Sequence, residues 1–292
     1  MKRVITLILF LLSSLSYAQT LQVTTSFSIL EDLVKNVGGD KISLTNFVPR
    51  DGDAHGYQPS AQDVKALAQA KVVFISGLGL ETWFAKLAKN AGGKAKIIEL
   101  SKGLTTRKFT EGDEIGESDP HIWWNPIHMM SYINKIRNAL TIADSSNKNT
   151  YWNNAALYNR QLANLDAWAK LEVQKIPVSS RKIVTNHDAL GYLADRYGFR
   201  VVGTVIPGGS TERAPSAKET ADLIRIIRRE KVKAIFTENV LNAKLAQTIA
   251  RETGAKIAPA LYTDALGAVG SSGDTYFKAF QHNISTLVTA LR

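Results

Sequence analysis

The uninterrupted run from Lys148 to Ile176 constrains this chain more than any other stretch. It holds neither glycine nor proline, and Tyr151, Ala155, Tyr158, Leu162, Leu165 and Ala169 recur at helical spacing, with Ile176 extending the row and Pro177 ending it. At ~1.5 Å per residue such a helix reaches roughly 40 Å, longer than a small domain is wide. A helix of that length either braces two lobes or runs along one large domain, and its flanks favour bracing. His55 and His121, both placed for chemistry, precede it, and His187 and Asp264 follow.

On both sides of the helix, strand and helix patterns alternate. Strands are expected near 21–25, 42–48, 72–75 and 95–100, with helices near 29–37 and 80–89 and a further helix opening at Ser60. Residues 102–118 are polar and aperiodic, a loop, and a helix over 127–143 leads into the central one. Beyond it, strands near 182–185, 201–206, 234–237 and 256–259 alternate with helices over 188–197, 216–230, 242–253 and 275–291. The fold class is therefore α/β: two lobes with mostly parallel sheets joined by one long rigid helix. The expected division is a signal peptide at 1–18, an N-terminal lobe at 19–147, the interlobe helix at 148–176 and a C-terminal lobe at 177–292.

The signal peptide rests on Met1-Lys2-Arg3, the apolar run Val4–Leu12 and the small residues of Ser16-Tyr17-Ala18, with cleavage after Ala18. That apolar run is well short of the ~20 residues a spanning helix needs. With no cysteine to carry a lipid, the expectation is a periplasmic protein without lipid anchor or stable membrane insertion. The formal net charge of +10 is spread over residues such as Lys86, Lys89, Lys94, Arg225, Arg228 and Arg229. No nucleic-acid motif accompanies it, so it reads as solubility, with no nucleic-acid partner.

In an open α/β sheet, ligands bind beyond the carboxyl ends of the strands. His55, His187, Glu238 and Asp264 closely follow predicted strands, and His121 sits in a proline-flanked loop. Imidazole and carboxylate are ordinary ligands for zinc and its first-row neighbours, and His55, His121, His187 and Asp264 make a closed set without cysteine. Their separations form no local zinc motif, so position alone leaves surface histidines as the somewhat stronger reading. His128 and His282 fall inside predicted helices and read as structural. Asp119, Asp188 and Glu238 are candidates to accept an imidazole N–H, or else helix caps and surface carboxylates.

Three segments carry a resemblance. Asp53-Ala54-His55-Gly56-Tyr57-Gln58-Pro59-Ser60 resembles D-P-H-x-Y-E-P-T, Asp119-Pro120-His121-Ile122-Trp123 resembles D-P-H-x-W, and Asn186 to Tyr192 resembles a third ligand segment. All are similar to the periplasmic zinc/manganese-binding proteins of ABC importers, the ZnuA/TroA-like group. The resemblance implies two lobes on one rigid helix with the metal between them. It also implies His55, His121, His187 and the aspartate of Tyr262-Thr263-Asp264 as ligands. Ala54 departs from the family's proline, Trp124-Asn125 from its leucine-aspartate pair, and residues 101–118 lack any histidine-rich loop.

The function so implied is capture of a divalent metal and delivery to the membrane permease of an ABC importer, by a monomer and without catalysis. Zn2+ is favoured by three imidazoles and a carboxylate, with Mn2+ the alternative. Other readings are a zinc-dependent hydrolase with Glu238 as general base and a surface adhesin of the same fold. No H-E-x-x-H or G-x-S-x-G pattern supports the hydrolase. Release of metal is expected through loosening near 207–215 and 262–272, where the chain has fewest sequence constraints.

Overall fold

A computed structural model describes residues 20–110 and 114–292; the expected signal peptide lies outside them. The first lobe runs β1 (Leu21–Phe27), α1 (Ser28–Gly38), β2 (Ile42–Val48), α2 (Ala61–Gln69), β3 (Val72–Ile75), α3 (Phe84–Ala91) and β4 (Lys96–Glu99). Its sheet has the order β2-β1-β3-β4, and every pairing is parallel. β1 is buried along most of its length, as the β-branched Val23-Thr24-Thr25 run suits a strand covered on both faces. Where the periodicity predicts a helix from Leu80, α3 begins only at Phe84. Gly77, Leu78 and Gly79 all take positive φ, and the buried Glu81 folds back onto the Ser76 and Gly77 N–H groups, so the first turn is irregular.

α4 (Pro126–Ala143) follows, with Asn125 capping it by accepting the Ile127 N–H. The central helix α5 (Lys148–Val173) buries Tyr151, Ala155, Tyr158, Leu162, Leu165, Ala169 and Val173, the expected row. The chain leaves helical geometry near Gln174, yet Ile176 stays buried and extends the stripe.

The second lobe is built as the first: β5 (Lys182–Thr185), α6 (Gly191–Tyr197), β6 (Arg200–Thr204), α7 (Ala217–Glu230), β7 (Ala234–Glu238), α8 (Lys244–Thr253), β8 (Lys256–Leu261) and α9 (Tyr276–Leu291). Its parallel sheet has the order β6-β5-β7-β8. Capping boxes at Ser60 and Ser216 start α2 and α7. Among the described residues, no helix is long and apolar enough to cross a membrane.

Two helices join the lobes. α5 packs on α1 and α4 of the first lobe and on α6 and α9. On one side the Tyr158 hydroxyl donates to Asp32; on the other, Asp166 accepts from Arg196 and Tyr197 of α6. α9, which the sequence places only at the chain's end, also reaches across: its Tyr276 N–H donates to Asp32 and its Tyr276 hydroxyl to the Trp123 carbonyl. Trp124, Tyr276 and Phe280 stack between the lobes, so one apolar core runs through both. A smaller core lies under α7 and α8. Apolar surface shared this widely resists separation of the lobes.

Candidate metal centre

His55, His187 and Asp264 sit in loops beyond strands and His121 in the loop before α4, and local hydrogen bonds set the direction of the imidazoles. After β2, the Asp53 carboxylate accepts the His55 N–H at 2.9 Å, and the Ala54 carbonyl accepts the Trp83 indole N–H at 2.9 Å. Asp119 Oδ1 accepts both the N–H of His121, at 2.9 Å, and its ring Nδ1–H, at 2.8 Å. At the end of β5, His187 meets Glu238, the last residue of the neighbouring β7: Oε1 accepts the backbone N–H at 2.9 Å and Oε2 the ring Nδ1–H at 2.5 Å. Glu238 Oε2 also accepts the Thr263 hydroxyl at 3.1 Å, which ties His187 to the segment bearing Asp264. That segment is gripped from the first lobe: the indoles of Trp123 and Trp124 both donate to the Thr263 carbonyl, at 2.8 and 3.0 Å. The Ser28 hydroxyl accepts the Leu266 N–H at 2.9 Å.

These supports bring His55, His121, His187 and Asp264 together, with one ligand atom of each inside a 4.8 Å group. His121 Nε2 lies 3.3 Å from Nε2 of both His55 and His187. Because His121 and His187 use Nδ1–H toward carboxylates, their Nε2 atoms present lone pairs to the cavity. Asp264 adds two more acceptors. Its Oδ2 lies 3.0 Å from His187 Nε2 and 3.7 Å from His55 Nε2, and its Oδ1 3.5 Å from His121 Nε2. With neutral rings neither oxygen meets a donor, and both are buried. A buried cavity lined by facing acceptors is stable only around a cation, a metal ion or a proton.

The ionisation of these groups follows from that crowding. Burial opposes charge on His187, but Glu238 and Asp264 overcome it and lift its pKa well above the ordinary value. Burial lowers His55 to about 4 against the pull of Asp264, and the two other imidazoles lower it further. Burial would raise Asp264, yet the facing imidazoles, His187 foremost, hold its carboxyl well below the usual range.

The other residues singled out in the sequence sort by position. Asp119 and Glu238 each orient an imidazole. Asp188 touches no ring; its carboxylate lies 3.8 Å from the Arg107 guanidinium. His128 packs edge-on against Tyr192, away from the cavity, and the His282 ring donates to the Ala260 carbonyl. Asn125, at a departure from the family pattern, caps α4. Sequence reasoning missed the double indole grip on Thr263, the Ser28 contact and Arg107. The adjacent tryptophans beside a candidate ligand were the one available signal. Nor is the 262–272 loop as loosely held as its composition predicts, since bonds from the first lobe secure its early part.

The profile of the family described as ZnuA, zinc-uptake complex component A periplasmic, matches residues 23–290. The manganese-binding lipoprotein MntA of Halalkalibacterium halodurans is 32% identical over 271 residues, 93% of this chain and 88% of its own. The manganese ABC transporter substrate-binding lipoprotein PsaA of Streptococcus pneumoniae is 32% identical over 285 residues, 96% of this chain and 91% of its own. Among solved structures, the periplasmic zinc binding protein TroA of Treponema pallidum superposes with a TM-score of 0.87 at 28% identity, covering 93% of this chain and 99% of that one. A Mn-bound periplasmic metal binding protein of Candidatus Liberibacter asiaticus gives 0.82 at 30%, covering 92% and 99%.

One expectation needs correction here. Both curated relatives are named lipoproteins, so a periplasmic location without a lipid anchor does not stand. One missing residue type was too narrow a basis for a location.

Proposed function

Because this chain belongs to the ZnuA family of zinc-uptake components, we propose that His55, His121, His187 and Asp264 ligate a divalent transition metal, zinc in preference to manganese. The protein is a substrate-binding component that captures the metal and delivers it to the membrane permease of an ABC importer. The observation carrying the ligand assignment is the convergence of four buried candidate ligand atoms: imidazole nitrogens 3.3 Å apart beside the buried Asp264 carboxylate. Three imidazole nitrogens suit zinc, and zinc outranks manganese at any such mixed site.

Manganese is the second reading, and one feature favours it. Both Asp264 oxygens face the cavity, so a bidentate carboxylate supplies a fifth ligand and a larger oxygen share. A hydrolase with Glu238 as general base is disfavoured because both Glu238 oxygens already accept hydrogen bonds.

Competition titration of the purified protein against a chelator, with zinc and with manganese, is the test. One metal per chain and tighter zinc binding are expected. His121→Ala weakens binding by roughly two to three orders of magnitude, since ~10–16 kcal/mol shared by four ligands is about 2.5–4 kcal/mol each. His128→Ala binds as the natural protein does. Equal effects of the two substitutions, or stronger manganese binding, sink the corresponding half of the proposal.

A further inference from the structure

The loop between β4 and His121 is not a free excursion of the first lobe. Lys108 and Ser118 form an antiparallel bridge that folds it into a hairpin, and this hairpin lies on the second lobe. Phe109 covers Gly209, where a Cβ would run into the phenyl ring, and Glu114 accepts the Gly209 N–H. At the base of the hairpin stands Arg107. Its Nη1 donates to Asp119 Oδ2 at 2.9 Å and lies 3.8 Å from Asp188 Oδ2, while its Nε donates to Asp195 Oδ2 at 3.2 Å. The Tyr192 hydroxyl accepts the Arg107 N–H and donates to the Asp119 carbonyl, both at 3.0 Å.

These partners come from both sides of the site. Asp119 belongs to the first lobe and orients His121 through its other oxygen; Asp188 directly follows His187, and Asp195 lies on α6 of the second lobe. The guanidinium reaches all three only because Gly191 lies beneath it: a Cβ on Gly191 would fall inside the guanidinium.

We propose that Arg107 is a positioning residue for metal retention, fastening the two lobes beside the site and holding Asp119, and through it His121, in the metal-facing orientation. The proposal rests on ligation by the His/Asp set given above. Charge alone argues for the opposite effect. A guanidinium near a dication repels it, so a purely electrostatic Arg107 would weaken binding, and its removal would slow metal release. A positioning Arg107 has the reverse sign, because an unfastened Asp119 lets the imidazole turn. Loss of such an outer partner typically costs ~10–100-fold in metal affinity.

The test is release of zinc to a fast chelator, followed by stopped flow, alongside the association rate. Arg107→Ala releases zinc about tenfold faster or more, with association changed by less than about twofold. Gly191→Ala, which keeps the charge but pushes the guanidinium off its seat, gives faster release too, and the double variant is no faster than the quicker single one. Arg107→Lys keeps the charge without the fork and recovers only part of the retention. Unchanged or slower release from Arg107→Ala overturns the proposal, as does full retention by Arg107→Lys. Should Gly191→Ala fail to fold, the two Arg107 variants decide alone, since Arg107 is partly exposed and outside the core. If the natural protein retains zinc and His121→Ala does not, while Arg107→Ala behaves as the natural protein, only this inference falls. A natural protein that binds no zinc removes the ligand assignment as well.

Discussion

His187 and His55 face the same cavity from opposite lobes, but they are held differently. His187 is fully buried, its backbone and ring both bonded to Glu238, whose remaining contact with Thr263 closes a network around Asp264. His55 is 7% exposed, and Asp53 holds only its backbone. Among the described residues no carboxylate meets its ring except Asp264 across the cavity. His121 and His187 are thus each held by a carboxylate at both backbone and ring, and His55 at its backbone alone. In a site built this way the His55 ring has fewer outer bonds to orient it than the other two imidazoles.

The largest expected effect separates these two histidines. His187→Ala removes a ligand and also strands Glu238 as an uncompensated buried carboxylate, so it should cost roughly a thousandfold in zinc affinity and about 3 kcal/mol of folding stability. His55→Ala should lose binding by roughly a hundredfold and leave stability within about 0.5 kcal/mol, because no buried partner is orphaned. Chelator titrations and urea melts of the metal-free variants read both quantities; equal stability losses would erase the contrast.

Next in size are the outer carboxylates. Glu238→Gln keeps a neutral acceptor but removes the charge facing the His187 ring, and a loss of about 10–100-fold in affinity is expected. Asp53→Asn touches only the His55 backbone and the Thr211 hydroxyl, and should change affinity by no more than a few-fold. An Asp53→Asn loss as large as that of Glu238→Gln would show the first-lobe edge to be as rigid as the second-lobe wall.

Acid and alkali should act on the two histidines in opposite directions. The folded pKa of His187 is raised, so its contribution to metal-free stability is full below about 6.5 and is lost as pH rises through the raised value. His55 is lowered to about 4, so stability is lost as pH falls from about 6.5 toward that value, where the unfolded chain takes up the proton first. Urea melts across this range should show His187→Gln flattening the alkaline limb and His55→Gln the acid limb. In the same window zinc affinity falls as pH falls, because protons compete for the imidazoles. The reverse assignment of limbs would contradict the environments described here.

Hydrogen exchange should show the smallest effect. In the metal-free protein, faster exchange is expected in the loops at 49–57 and 207–215, whereas α5 and residues 262–266 stay protected. Small-angle scattering with and without metal should give nearly equal dimensions, because α5, α9 and the aromatic stack cross between lobes. Exchange that opens α5 first would overturn its bracing role.

The parts of this protein legible in its sequence were those governed by local chemistry. Helical spacing from Tyr151 to Ala169 marked the bracing helix, alternating strands and helices marked parallel sheets in both lobes, and three histidines and an aspartate at loop positions marked the candidate ligands. Local order is written in neighbouring residues, because helix and strand periods depend on side chains a few positions apart. The support of the site was not legible. The bond from Trp124 to the Thr263 carbonyl joins residues 139 positions apart, that from Ser28 to Leu266 238 positions, and Arg107 meets Asp195 across 88. Nothing local in a tryptophan, a serine or an arginine marks which carbonyl, amide or carboxylate it will meet. Only the docking of one lobe on the other decides that, and with it which histidine ring meets an outer carboxylate.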